Sequence, residues 1–98
     1  MSAFLSPRRA FHRDRMPDPA SYYAQEGLTL IGRGEWRSAL CPFHPDNSPS
    51  LRVRVESGSF RCMTCGAHGG DVLAFHMQRY GHSFKEAAQS LGAWEAGR

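Results

Sequence analysis

The sequence lacks any run of apolar residues long enough to cross a bilayer, and its first apolar pair, Phe4-Leu5, is broken at once by Ser6-Pro7-Arg8-Arg9. The expectation is a chain with neither a membrane span nor a secretory leader. Cysteine is scarce: three residues, an odd number and too few for a disulfide framework. Reduced thiols in a cytoplasmic protein are the simplest reading. There is no Walker loop, no glycine-rich dinucleotide turn and no internal repeat. The acidic residues are scattered, so no cluster of them is poised to hold catalytic magnesium. Polymerase, nuclease and hydrolase sites are therefore not visible.

At 98 residues there is room for one small domain. A chain of this size buries a smaller share of its surface than a large one and gains from a staple such as a metal. The net charge of +3 suggests nucleic acid, but its location matters. Residues 1–15 carry Arg8, Arg9, Arg13 and Arg15 against Asp14, which accounts for the whole excess. A nucleic-acid surface on the folded part must be a local patch and not a global field. Residues 1–17 read as a basic, disordered arm, 18–92 as the folded domain and 93–98 as a short tail. Met16 is an alternative start that would remove the charge.

What the sequence does hold is Cys41-Pro42-Phe43-His44, answered by Cys62-Met63-Thr64-Cys65. Two residues separate the ligands within each pair, so one tight turn aims both side chains at one ion. Seventeen residues, Pro45 to Arg61, lie between the pairs, enough for a hairpin that leaves one knuckle and returns at the other. Three thiolates and an imidazole close a tetrahedral shell, which points to one structural Zn2+ rather than a catalytic ion with an open position. Cys41, His44, Cys62 and Cys65 are the candidate ligands. His68 lies close enough to compete, but the pairing of Cys41 with His44 in one knuckle favours His44. A redox reading of Cys62-x-x-Cys65 would need a helix opening inside a βαβ unit, whereas a glycine-rich turn follows here.

Local signals place the elements around this motif. Asp18-Pro19 starts a helix over about 19–26, closed by Gly27. Leu28-Thr29-Leu30-Ile31 reads as a strand, Gly32-Arg33-Gly34 as a turn and Glu35–Leu40 as a second strand leading into Cys41. Pro45–Pro49 is a polar loop. From Ser50 to Glu56 the chain alternates, with Leu51, Val53 and Val55 inward and Arg52, Arg54 and Glu56 outward. Ser57-Gly58 turns back into Ser59–Cys62, and glycines 66, 69 and 70 allow a tight turn beside the metal. After Asp71 the period becomes helical, with Val72, Leu73, His76, Met77 and Tyr80 on one stripe. Ser83-Phe84-Lys85-Glu86 is a capping box that opens a further helix, ended by Gly92. Trp94 is expected to fold back on the core.

Arg52 and Arg54 share a strand face that Phe60 or Arg61 joins if the next strand pairs beside it. Cations with an aromatic on a small sheet suit single-stranded nucleic acid, the cations following phosphates and the ring stacking a base. A plain solvated strand face is the competing reading. Trp36 is ambiguous, since tryptophan at such spacing is more often core.

Cys41-Pro42-Phe43-His44, Pro49-Ser50, Cys62-x-x-Cys65-Gly66, Gly69-Gly70-Asp71-Val72, Phe75 and Phe84-x-Glu86-Ala87 together resemble the CHC2-type zinc-binding domain of bacterial DnaG-like DNA primases, over about residues 20–92. The resemblance implies an α+β fold: a zinc-ribbon-type antiparallel β-sheet with a short N-terminal helix and two C-terminal helices. It implies single-stranded DNA as partner in primer initiation during DNA replication, with a separate Toprim-type polymerase subunit, or a replicative helicase, as protein partner. On that basis Arg37, Arg52, Arg54 and Arg61 are candidate phosphate contacts, with Phe60 stacking a base. Catalysis is not expected from this chain alone. Asn47 and Ser48 replace the lysine and threonine usual before the Pro-Ser, and Leu51 stands where an aromatic is common. Stand-alone modules of this type are similar to small proteins of phages and plasmids. The alternatives are a protein-interaction ribbon docking on a replication or transcription partner, and the remnant of a longer primase.

Overall fold

A computed structural model of the protein describes residues 11–95. Asp18 begins the first helix by accepting a hydrogen bond from the Ser21 N–H at 3.0 Å, and Pro19 takes the first helical position, where a missing N–H costs nothing. Helix α1 spans Pro19–Gln25. Gly27 turns the chain out with φ of 87°, a conformation that L side chains resist. Four strands follow as an antiparallel meander in the order β1-β2-β3-β4: β1 (Trp36–Ala39), β2 (Leu51–Arg54), β3 (Phe60–Cys62) and β4 (His68–Gly69). Helix α2 (Val72–Tyr80) is capped by Asp71, which accepts from Ala74 N–H at 2.9 Å, and is closed by the left-handed Gly81. Helix α3 (Phe84–Ser90) carries the expected Ser83–Glu86 capping box. The α+β class and the three helices agree with the sequence reading.

Pairing decides which strand residues are inside. Val53 lies opposite Phe60 and Leu51 opposite Cys62, so these four share the face covered by the helices. Phe75 of α2 is fully buried beneath it. The rings of Tyr23, Phe43 and Phe60 meet Phe75 edge-on at centroid distances of 4.9, 5.2 and 5.2 Å, a geometry that adds to the gain from area burial. A second cluster joins Leu73 of α2 to Ala87 and Ala88 of α3, with Phe11 and Trp94 packed against it.

Three local expectations change. Leu28–Ile31 is not a strand. Leu28 N–H bonds Tyr23 O and so finishes the helix, leaving only the bridge between Ile31 and Ser38. His68–Gly69, expected as turn, forms the short strand β4 against β3. The disordered arm proposed for 1–17 is corrected from Phe11 onward, residues 1–10 lying outside the described residues. Phe11 bridges Trp94, and His12 N–H donates to Ala93 O at 2.7 Å. Packing of the half-buried Phe11 against Phe84, 5.1 Å between centroids, opposes the disorder that charge alone would favour. Trp94 folds back as expected.

Candidate functional site

Strand β1 leads into Cys41, and strand β3 ends at Cys62, directly opposite Leu51. The hairpin between them therefore returns the second knuckle to the first. One donor atom from each of Cys41, His44, Cys62 and Cys65 lies within 4.8 Å of the others. Cys41 Sγ is 3.9 Å from Cys65 Sγ, and His44 Nε2 is 3.3 Å from Cys62 Sγ. A tetrahedron with Zn–S bonds near 2.3 Å sets its sulfurs about 3.8 Å apart, so the group fits one zinc ion. All three cysteines are free. When bound, the ion would supply structural cross-linking of the two knuckles.

The surroundings prepare these atoms for a cation. His44 Nδ1–H donates to Pro45 O at 2.7 Å, which turns Nε2 toward the cysteines. Burial alone would raise the Cys62 thiol, but hydrogen bonds at its sulfur, with Cys65 N–H most of all and with Ser50, Thr64 N–H and His44, overcome it and bring the pKa down to about 5. Cys41 moves the other way. Burial and the neighbouring thiols push it up to about 12. Several thiolates in one pocket repel unless a cation sits between them.

Asp46 holds the knuckle from outside. Its Oδ2 accepts from Cys41 N–H at 2.8 Å, from Ser50 Oγ at 2.9 Å and from Ser50 N–H at 3.3 Å. These donors lower its carboxyl pKa, Cys41 N–H most of all. Ser50 Oγ in turn lies 3.4 Å from Cys62 Sγ. Sequence reading places Asp46 only in a polar loop. An aspartate five residues after a ligand is the signal that was available. His68 does not join the ligand group, and its Nδ1–H donates to Gly66 O at 2.9 Å.

The other face of the sheet is open. Arg52 stands opposite Arg61, and Arg61 opposite His68, all on the side away from the helices. Trp36, 44% exposed, and Met63, 66% exposed, complete this face. Among the described residues neither Arg52 nor Arg61 forms an ion pair, whereas Arg54 is engaged by Glu35 and Glu56. Two of the residues expected on this face do not reach it. Phe60 is 2% exposed and faces the core, because pairing with Val53 puts it on the covered side. Arg37 pairs with Val53 from β1 and shares that side, its Nε–H donating to Gly34 O at 3.3 Å. Trp36 is ambiguous by sequence, and its exposure distinguishes it from the core tryptophan that spacing favours.

Residues 23–96 match the family described as the CHC2 zinc finger. This chain belongs to the CHC2 zinc-finger family. Among its relatives, the DNA primase of Chlamydia pneumoniae is 42% identical over 62 residues, which are 63% of this chain and 10% of that protein. The DNA primase of Mycobacterium bovis is 53% identical over 53 residues, 53% of this chain and 8% of that protein. The crystal structure of the Aquifex aeolicus primase, with its zinc-binding and RNA polymerase domains, superposes with a TM-score of 0.67 at 35% identity, covering 80% of this chain and 19% of that one. The CHC2 chain thus spans a tenth or less of the two primases matched by sequence. Its Cys41, His44, Cys62 and Cys65 form a group able to bind one zinc ion, as family membership requires. No helix among the described residues is long and apolar enough to cross a membrane.

Proposed function

We propose that this CHC2 zinc finger is a DNA-binding module of primase type that holds single-stranded template for primer initiation in the cytoplasm. Polymerisation belongs to a primase catalytic subunit, and a replicative helicase is the other candidate partner. Residues 18–92 carry the binding unit. The observation that carries this reading is the open sheet face, where two arginines without ion-pair partners among the described residues share the surface with an exposed tryptophan. Such a face suits phosphates and bases of an unpaired strand. Arg54 contributes less than its position suggests, because Glu35 and Glu56 offset its charge.

The test is a salt titration of zinc-loaded protein with a labelled single-stranded oligonucleotide. Binding should weaken steeply as salt rises. In the double variant Arg52→Ala, Arg61→Ala the logarithmic salt slope should fall by about 1.4, because each phosphate left without its arginine takes roughly 0.7 from the slope. Absence of binding at low salt refutes the reading. Recovery of a replication protein without nucleic acid, in that circumstance, favours a protein-docking ribbon.

A further inference from the structure

Four side chains line a recess of about 290 Å³ on the open sheet face: Trp36, Arg52, Arg61 and Met63. Trp36 sits on β1 and Met63 directly follows β3, so the two apolar walls stand on either side of central strand β2. The cations come from the middle, Arg52 of β2 paired with Arg61 of β3. Neither Trp36 nor Met63 belongs to the two hydrophobic clusters. Both apolar side chains are left in solvent although a covered face lies one residue away on each strand, so their exposure is not a packing requirement. Indole is a flat, electron-rich plate, and a thioether is a polarizable contact for an aromatic ring. Two such walls with guanidinium groups between them match one chemical class: a planar heteroaromatic ring joined to anionic groups.

We propose that this recess is a seat for one unpaired nucleobase of single-stranded DNA, stacked on Trp36 and bordered by Met63, with Arg52 and Arg61 on the flanking phosphates. The proposal rests on the single-strand reading above and adds to it the base itself. A base in a duplex is stacked on both sides and cannot enter. The seat therefore makes the module prefer single strands on grounds that charge alone does not supply.

The experiment compares zinc-loaded parent, Trp36→Ala and Trp36→Phe on two labelled oligonucleotides of equal length, one of ordinary sequence and one with a central run of abasic sites. Phosphate number is the same in both. Stacking of one base on an aromatic side chain corresponds to roughly 5- to 150-fold in affinity. Trp36→Ala should lose binding within that range on the ordinary strand and none on the abasic one, and Trp36→Phe should keep most of it. Zinc content and a melting curve for Trp36→Ala check that the fold is intact. Equal binding of parent and Trp36→Ala to both strands, with the arginine double variant still weakened, overturns the base seat and leaves the single-strand reading in place. No binding by the parent overturns both.

Discussion

Replacing Asp46 by alanine leaves all four candidate zinc ligands in place and should still loosen the metal. One oxygen of this carboxylate gathers three donors, Cys41 N–H, Ser50 N–H and Ser50 Oγ–H, at 2.8, 3.3 and 2.9 Å. The first fixes the backbone of a ligand, and the other two hold the hydroxyl that lies against Cys62 Sγ. Losing an outer-sphere partner of a metal ligand typically costs about 10- to 100-fold in affinity. Asp46→Ala should fall near the upper end, since it releases both knuckles at once. Asp46→Asn should fall near the lower end. All three donors converge on a single oxygen, so the amide carbonyl can accept every one of them and only the negative charge is lost. Had the hydrogen bonds been divided between the two oxygens, asparagine would have failed as well. The assay is competition for zinc with a chromogenic chelator of known affinity. At saturating zinc, Asp46→Ala should still bind one ion per chain, whereas Cys62→Ser, with one ligand gone, should not hold it in the tetrahedral site. Equal affinities for parent and Asp46→Ala would refute the positioning role. So would an Asp46→Asn variant as weak as the alanine one.

Two further outcomes follow from the core. Phe75→Ala should cost about 3–5 kcal/mol in urea unfolding of the zinc-loaded protein, a large share of a small domain's stability, because it empties the point where the rings of Tyr23, Phe43 and Phe60 meet. Phe84→Ala, at a partly exposed ring, should cost clearly less, and equal losses would contradict the assigned core. Buried His76 bonds Tyr22 Oη through Nδ1 at 2.7 Å and Ser90 Oγ through Nε2 at 3.0 Å. Burial holds its imidazole below the ordinary 6.5. The unfolded chain therefore takes up this proton first, so the contribution is complete above about 6.5 and falls as pH drops below it. Melting curves across that interval should show a steeper loss for the parent than for His76→Gln. Parallel curves would remove His76 as the cause.

Much of the candidate site was legible because its signals are local. A Cys-x-x-His and a Cys-x-x-Cys each need only one turn to aim two donors, so spacing along the chain already implies convergence. Caps are local too. Asp18, Asp71 and the Ser83–Glu86 pair each bond a backbone group within three residues, and the structure shows each of these bonds. What was not legible depends on partners far away in sequence. Leu28–Ile31 has the composition of a strand, yet Leu28 is drawn into ending α1. Phe75 fell off the apolar stripe proposed for α2 because the helix is covered on more than one side, by the sheet and α1 as well as by α3. Asp46 looked like an ordinary loop residue until folding brought Ser50 and Cys41 to the same oxygen.

By itself, then, the sequence determined the metal chemistry, the helix boundaries at their capped ends and the alternation of β2. Each depends on interactions a few residues long, which bond geometry constrains without help from the rest of the chain. Tertiary structure alone decided which of two alternating faces was covered. Alternation says that Phe60 and Arg61 point in opposite directions, but not which of them meets the core. Pairing of Phe60 with Val53 under α2 turned the phenylalanine inward, carried Arg37 to that same side and left Trp36, Arg52 and Arg61 facing outward together. A one-residue change of register would exchange the two sets, so the surface proposed for DNA exists only through the cross-strand register.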